Sequence, residues 1–306
     1  MFFNVLSKVN ALLIILFIGS LARYKKILTE DSTNALANMV LVVALPFLYF
    51  YSLATDFTIE LLKTIWTLPI FAIGIVIVGY TIAKILSNFV NLDSQGKSTF
   101  IYLATFTNCG FLAIPIANAL YGSEGIVRIV FFNVGFNLLY WTLGVWTLRD
   151  SGKNILFSSK NLINSGTIGL LCGITAGLTR LKLPNFILDS TKILGSATIP
   201  LALIVVGSIM SEGELQKLRA YKKTLILIIL CRLIIVPTIA LLLTGLFDFI
   251  SPLSRAIIVL QSAMPSASTT PIFTTRFGGD SQLASVAVVV TTACSIITIP
   301  IFISLL

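Results

Sequence analysis

Four residues, Thr107, Asn108, Cys109 and Gly110, interrupt an apolar stretch long enough to cross a bilayer, and Pro115 follows them. A second stretch, QSAMPSASTTP at 261–271, places Pro265, Ser266, Ser268, Thr269 and Thr270 in the same kind of setting. In lipid, backbone amides and carbonyls need partners within the protein, so a helix can break there only when buried or beside water. A broken helix exposes the N-terminus of its second half, where unpaired amides and a partial positive charge favour an anion. Asn108 and the hydroxyls would add donors that can be oriented. The competing reading is a pair of proline kinks whose hydroxyls bond their own backbone.

The two stretches correspond. At an offset of 156, PIANALYGSE (115–124) lies over PIFTTRFGGD (271–280), so that Pro115 meets Pro271, Gly122 meets Gly278 and Glu124 meets Asp280. ALPFLYF (44–50) similarly resembles TIPLALI (198–204). Cys109 then falls opposite Pro265, which puts the two interruptions at equivalent depths, where they could cross.

The elements that must hold these residues are membrane helices. The chain of 306 residues is 57% hydrophobic with a mean hydropathy of +1.00, and its 11% charged residues are fewer than half the usual share. A spanning helix needs about 20 apolar residues. That length gives ten spans, roughly at 3–21, 34–55, 65–87, 98–120, 125–148, 163–181, 191–210, 223–246, 254–276 and 281–305. The fold class expected is an all-α polytopic membrane protein, ten helices forming two five-helix repeats. Residues 1–148 make the first, 149–162 a cytoplasmic linker and 163–306 the second. Five is an odd number, so the second repeat is inverted, an arrangement that places transporter sites where the halves meet. Thirteen Lys and Arg residues fall on one side and seven on the other, which sets both termini outside a cell membrane. The net charge of +9 reflects those loops, and no nucleic-acid partner is expected.

The ionisable residues exclude other classes. The chain has no histidine, and all twelve acidic residues fall in loops or at span ends, which leaves no intramembrane proton carrier. Neither HExxH nor GxSxG occurs, and the protein is not expected to be an enzyme. No cofactor or metal site is expected; the four cysteines read as buried small residues. Sodium held by carbonyl and hydroxyl oxygens is the one coupling ion left open. Arg232 lies well inside a span, either attracting an anion toward the cavity or bonding broken-helix carbonyls. Asn133 and Asn137 share a face of span 5 and either line the cavity or tie that span to its neighbour. Gly169, Gly173 and Gly177 form a packing stripe for scaffold or dimer.

At these residues the chain resembles the auxin efflux carrier family, in its bacterial organic-anion permease branch. The motifs are Asn-x-Gly-Phe-x-x-Ile-Pro at 108–115, IPLALIVVG in span 7, RLIIVP at 232–237, AMPSAS at 263–268 and TTACSIITIP at 291–300. The resemblance implies a scaffold of spans 1, 2, 6 and 7 and a transport domain of spans 3–5 and 8–10. Spans 4 and 9 would cross at the midplane, with elevator-type alternating access, an architecture thought to be shared with bile-acid symporters. Plant auxin carriers carry Asn-Pro at both crossing points, whereas this chain has Asn108-Cys109 and Met264-Pro265. A small carboxylate resembling malate or malonate is therefore expected, rather than auxin. The substrate-binding set would be Thr107, Asn108, Cys109, Gly110, Pro265, Ser266, Ser268, Thr269, Thr270 and Asn137. Efflux driven by membrane potential is the leading expectation, and a sodium-coupled symporter the alternative; a channel or receptor stays open. The partners expected are the anion, the bilayer and a second copy docked through scaffold helices.

Overall fold

The computed structural model describes residues 2–149, 164–180, 183–211 and 218–306. Apart from Arg149, the linker expected at 149–162 lies outside the described residues. Among those described, the architecture is helical with no strand. In chain order the helices are α1 Phe2–Tyr24, α2 Glu30–Asp56, α3 Ile59–Phe89, α4 Ser94–Thr105, α5 Ala113–Leu148 and α6 Ser165–Thr179. Then come α7 Asn185–Met210, α8 Lys222–Gly245, α9 Pro252–Ala263, α10 Thr270–Phe277 and α11 Ser281–Ser304. Six of these, α2, α3, α5, α7, α8 and α11, are long and apolar enough to cross a membrane.

Local chemistry fixes many of the boundaries. The side chains of Thr58, Asp93, Asn164, Ser251 and Asp280 each accept an amide from the first turn of the helix that follows. Such caps satisfy donors that the helix itself cannot. Before Pro46 and Pro237 the helices widen into π turns at Val40–Ala44 and Leu230–Ile235, because proline has no amide for the ordinary hydrogen bond. The second of these turns carries Arg232.

Gly122 and Gly278, the pair equated by the sequence offset, are the positive-φ glycines of the described residues, at +62° and +94°. Gly122 breaks α5 sharply with ψ at −151°, and Gly278 ends α10. A side chain at either site would clash with its own backbone.

Tight seams join particular helices. A methyl on Gly19 or Gly207 would collide with backbone across the α1–α7 contact. Gly169, Gly173 and Gly177 of α6 lie equally close to Pro46, Phe50 and Leu53 of α2. Hydrogen bonds from Ser20 to Ser211 and Thr33 to Ser208, both 2.6 Å, strengthen this set of α1, α2, α6 and α7. In the other set, Gly135 of α5 closes onto the Pro69 carbonyl of α3, Ser254 of α9 reaches the Thr64 carbonyl, and Tyr221 reaches Asp280. Between the sets the contacts are mainly apolar, as in the stacked pair Phe57–Phe131 at 5.4 Å.

Candidate functional site

The interruptions between α4 and α5 and between α9 and α10 meet. Phe106 and Met264 turn to extended backbone, with ψ of 130° and 146°. For Met264 the cause is local, because a residue before proline is driven out of the helical region. The segments then pair antiparallel through Thr107 and Ser266. The Asn108 amide donates to the Pro265 carbonyl at 2.8 Å, and the Ala267 amide donates to Phe106 at 3.0 Å. Helix α9 runs on to Ala263, so its interruption is shorter than the polar stretch 261–271.

The two first half-helices end in carbonyls that need donors. Arg232 supplies them from its π turn: Nη1 donates to Thr105 at 3.1 Å, Nε to Met264 at 3.1 Å, and Nη2 to Ser262. Ser266 Oγ donates to Leu103 at 2.8 Å. One guanidinium, 1% exposed, thus caps the C-termini of both α4 and α9, where a cation opposes the negative ends of the helix dipoles. Its charge is met by carbonyl oxygens rather than a carboxylate, which leaves the crossing with a positive charge.

At the second half-helices the donors stay open. The amides of Gly110, Phe111 and Leu112, leading into α5, donate to no backbone carbonyl, nor do those of Ser268 and Thr269, leading into α10. Asn108 is 3% exposed, and its Nδ2 has no protein partner; Thr107 Oγ1 is likewise unpartnered. An unpaired buried polar group costs about 1–3 kcal/mol, and the fold supplies no partner for these.

Beside them, Gln261 Nε2 donates to Asn133 Oδ1 at 3.1 Å, and Asn133 Nδ2 donates to the Cys109 carbonyl at 3.3 Å. Gln261 Oε1 is unpartnered, and Tyr49 of α2 lies near Asn133 from the other helix set. Tyr140 holds Thr269 at 2.7 Å, and its ring packs on Phe106 at 5.5 Å and Phe273 at 5.2 Å. A void of about 20 Å³, room for roughly one water, lies where Leu16 of α1 faces Ile116 and Thr292.

The crossing therefore gathers Thr107, Asn108, Cys109, Gly110, Pro265, Ser266, Ser268 and Thr269. The hydroxyls of Ser266 and Thr270 donate to the Leu103 and Ala267 carbonyls, which leaves only their lone pairs for other contacts. Arg232 stands behind the crossing, on its helix C-terminal side. Asn137 sits one turn beyond Asn133, half-buried, and joins none of these hydrogen bonds. Gln261, Asn133, Tyr49 and Tyr140 complete the surroundings. Of these, Gln261 had a signal in the sequence: a carboxamide in an apolar run, one turn before Pro265.

Several long apolar helices together with a paired helix interruption define a multi-span membrane protein. The chain belongs to the membrane transport protein family, whose sequence model matches residues 4–166 and 154–303. It is 26% identical over 297 residues to an uncharacterised transporter of Methanocaldococcus jannaschii, covering 94% of each chain. It is 25% identical over 302 residues to an uncharacterised transporter of Methanothermobacter thermautotrophicus, covering 96% of each. Protein PIN-LIKES 2 of Arabidopsis thaliana matches at 32% identity over 89 residues, 27% of this chain and 19% of that protein. The resemblance to the auxin efflux carriers read from the motifs is thereby upheld.

Proposed function

We propose that the protein is a secondary transporter that carries a small organic anion, a malate- or malonate-like carboxylate, across the cell membrane. The observation that carries this reading is the unpartnered Asn108 carboxamide beside the open amides that lead into α5 and α10. Donors without acceptors, around a positive charge with no carboxylate of its own, suit a carboxylate better than a cation.

The membrane organisation we propose has ten spans in two inverted five-helix repeats, with both termini outside. The shared positive φ at Gly122 and Gly278 and the antiparallel pairing of the two interruptions support it. Transport is of the elevator type. Helices α1, α2, α6 and α7 form the scaffold, while α3–α5 and α8–α11 move as one body carrying the crossing. Glycine seams that cannot slide lie within each set, and the boundary between the sets carries mainly apolar contacts, which can slide. An anion leaving a negative interior needs no coupling ion, since the potential supplies about 2.3 kcal/mol per charge per 100 mV.

A second reading, sodium-coupled symport, is favoured by the acceptor Gln261 Oε1, which lacks a donor. Counterflow of labelled dicarboxylate in proteoliposomes tests both. Saturable exchange independent of sodium supports the first reading, and exchange only with sodium the second. Flux that fails to saturate would indicate a channel.

A further inference from the structure

Away from the crossing, a cleft of about 430 Å³ opens between the ends of α3 and α5 and the start of α4. Lys84 comes from the last turns of α3, Ser94 and Ser98 from the first turns of α4, and Arg149 from the residue just past α5; Tyr80, Ile101, Trp146 and Thr147 complete the wall. The cations stand on different helices, and hydroxyls lie between them. The neighbouring carboxylate, Asp93, is engaged in capping α4, accepting the Gly96 amide at 2.8 Å. Lys84 is exposed, and its ammonium forms no hydrogen bond or ion pair with another described residue, while Arg149 has a contact of its own.

The setting is that of a membrane interface. All the cationic and hydroxyl groups sit at helix ends, on the side where the sequence gathers most of its Lys and Arg. Trp146 in the cleft wall is 61% exposed, and Ile85 and Phe89, from the same last turns of α3 as Lys84, are 57% and 61% exposed, apolar surface fit for acyl chains. Aromatic rings sit at headgroup depth, and basic pockets between membrane helices receive acidic headgroups. A soluble anion would gain nothing from the apolar border, whereas a phospholipid would fill both parts.

We propose that this cleft binds a phosphate group, that of an anionic phospholipid headgroup whose chains lie along Trp146 and Phe89. The site is separate from the crossing and needs no transported substrate.

Quenching of Trp146 by bromine-labelled lipid tests it. The intact protein is placed in phosphatidylcholine vesicles containing either brominated phosphatidylglycerol or brominated phosphatidylcholine at equal mole fraction, and the signal of Trp146→Phe is subtracted. The expected result is stronger quenching by the anionic lipid. Its apparent affinity should fall about fivefold in Lys84→Gln, the effect of one interfacial cation, and stay unchanged in Lys63→Gln at the opposite end of α3. Ser94→Ala with Ser98→Ala provides a second variant should Lys84→Gln fold poorly, and it should weaken the preference likewise. A separate arm adds inorganic phosphate to protein in neutral vesicles and reads thermal stability. Stabilisation that depends on Lys84, with no preference between the brominated lipids, would reassign the site to free phosphate and overturn the lipid. Equal quenching by both lipids, with no phosphate effect, would overturn the site altogether.

Discussion

The main-chain amide of Asn108 donates to the carbonyl of Pro265 at 2.8 Å, so residues 157 positions apart lock two interrupted helices together. Proline at 265 can only accept, having no amide, and Asn108 supplies the donor. The carboxamide of the same asparagine is left unpartnered. One residue thus fastens the crossing through its main chain and keeps a buried side-chain donor unused.

Arg232 is the structural counterpart of that lock. Arg232→Met would leave the Thr105, Ser262 and Met264 carbonyls without their donor in a buried setting. We expect a loss of roughly 2–5 kcal/mol of stability, read as a lowered unfolding temperature in detergent. Arg232→Lys should recover only part, because an ammonium cannot span three carbonyls as a planar guanidinium does.

Much of this crossing was legible in the sequence, and the reason is local. Pro265 and the Asn108-Cys109-Gly110 run announce breaks in apolar stretches, and the glycines at 122 and 278 mark backbone turns that other residues resist. The partners of individual side chains were not legible, because they come from elsewhere in the chain. The Ser266 hydroxyl bonds the Leu103 carbonyl, 163 positions away, whereas Thr270 bonds Ala267 in its own turn, as the proline-kink reading allowed. The two readings left open for Arg232 could be weighed only once its three carbonyl partners, from α4 and from the end of α9, were visible. Gln261 lay in the polar stretch, yet its pairing with Asn133 depends on how α9 crosses α5.

Gln261 offers a test of charge at the site. Gln261→Glu would set a carboxylate beside Asn133 and the Cys109 carbonyl, repelling a bound anion while ionised. Affinity should fall at least about tenfold at neutral pH and recover as pH drops and the new side chain is protonated. Wild-type binding, measured by titration calorimetry over the same range, should show no such recovery beyond the ligand's own titration.

The two turn glycines should respond together. Gly278→Ala, at φ +94°, and Gly122→Ala, at φ +62° and ψ −151°, should each cost about 1–3 kcal/mol through backbone strain. Thermal unfolding of the purified variants measures this, and Gly110→Ala, where an added methyl meets open space, serves as the control.

Cys109 is half-buried at the crossing, while Cys172 is exposed on α6. In a Cys172→Ser background, the bound anion should slow modification of Cys109 by a small thiol reagent severalfold. Mass spectrometry of the labelled peptide reads the rate; an unaltered rate would separate the anion from the crossing.

The most direct measurement is the Kd of Asn108→Ala for the dicarboxylate that most stabilises the wild-type protein in a thermal-shift screen. The main-chain bond to Pro265 survives this change, so the unfolding temperature without ligand should stay near wild type. Loss of a hydrogen bond to a charged ligand should raise Kd about 10- to 100-fold. An unchanged Kd in a well-folded Asn108→Ala protein would contradict an anion held where the two interrupted helices meet.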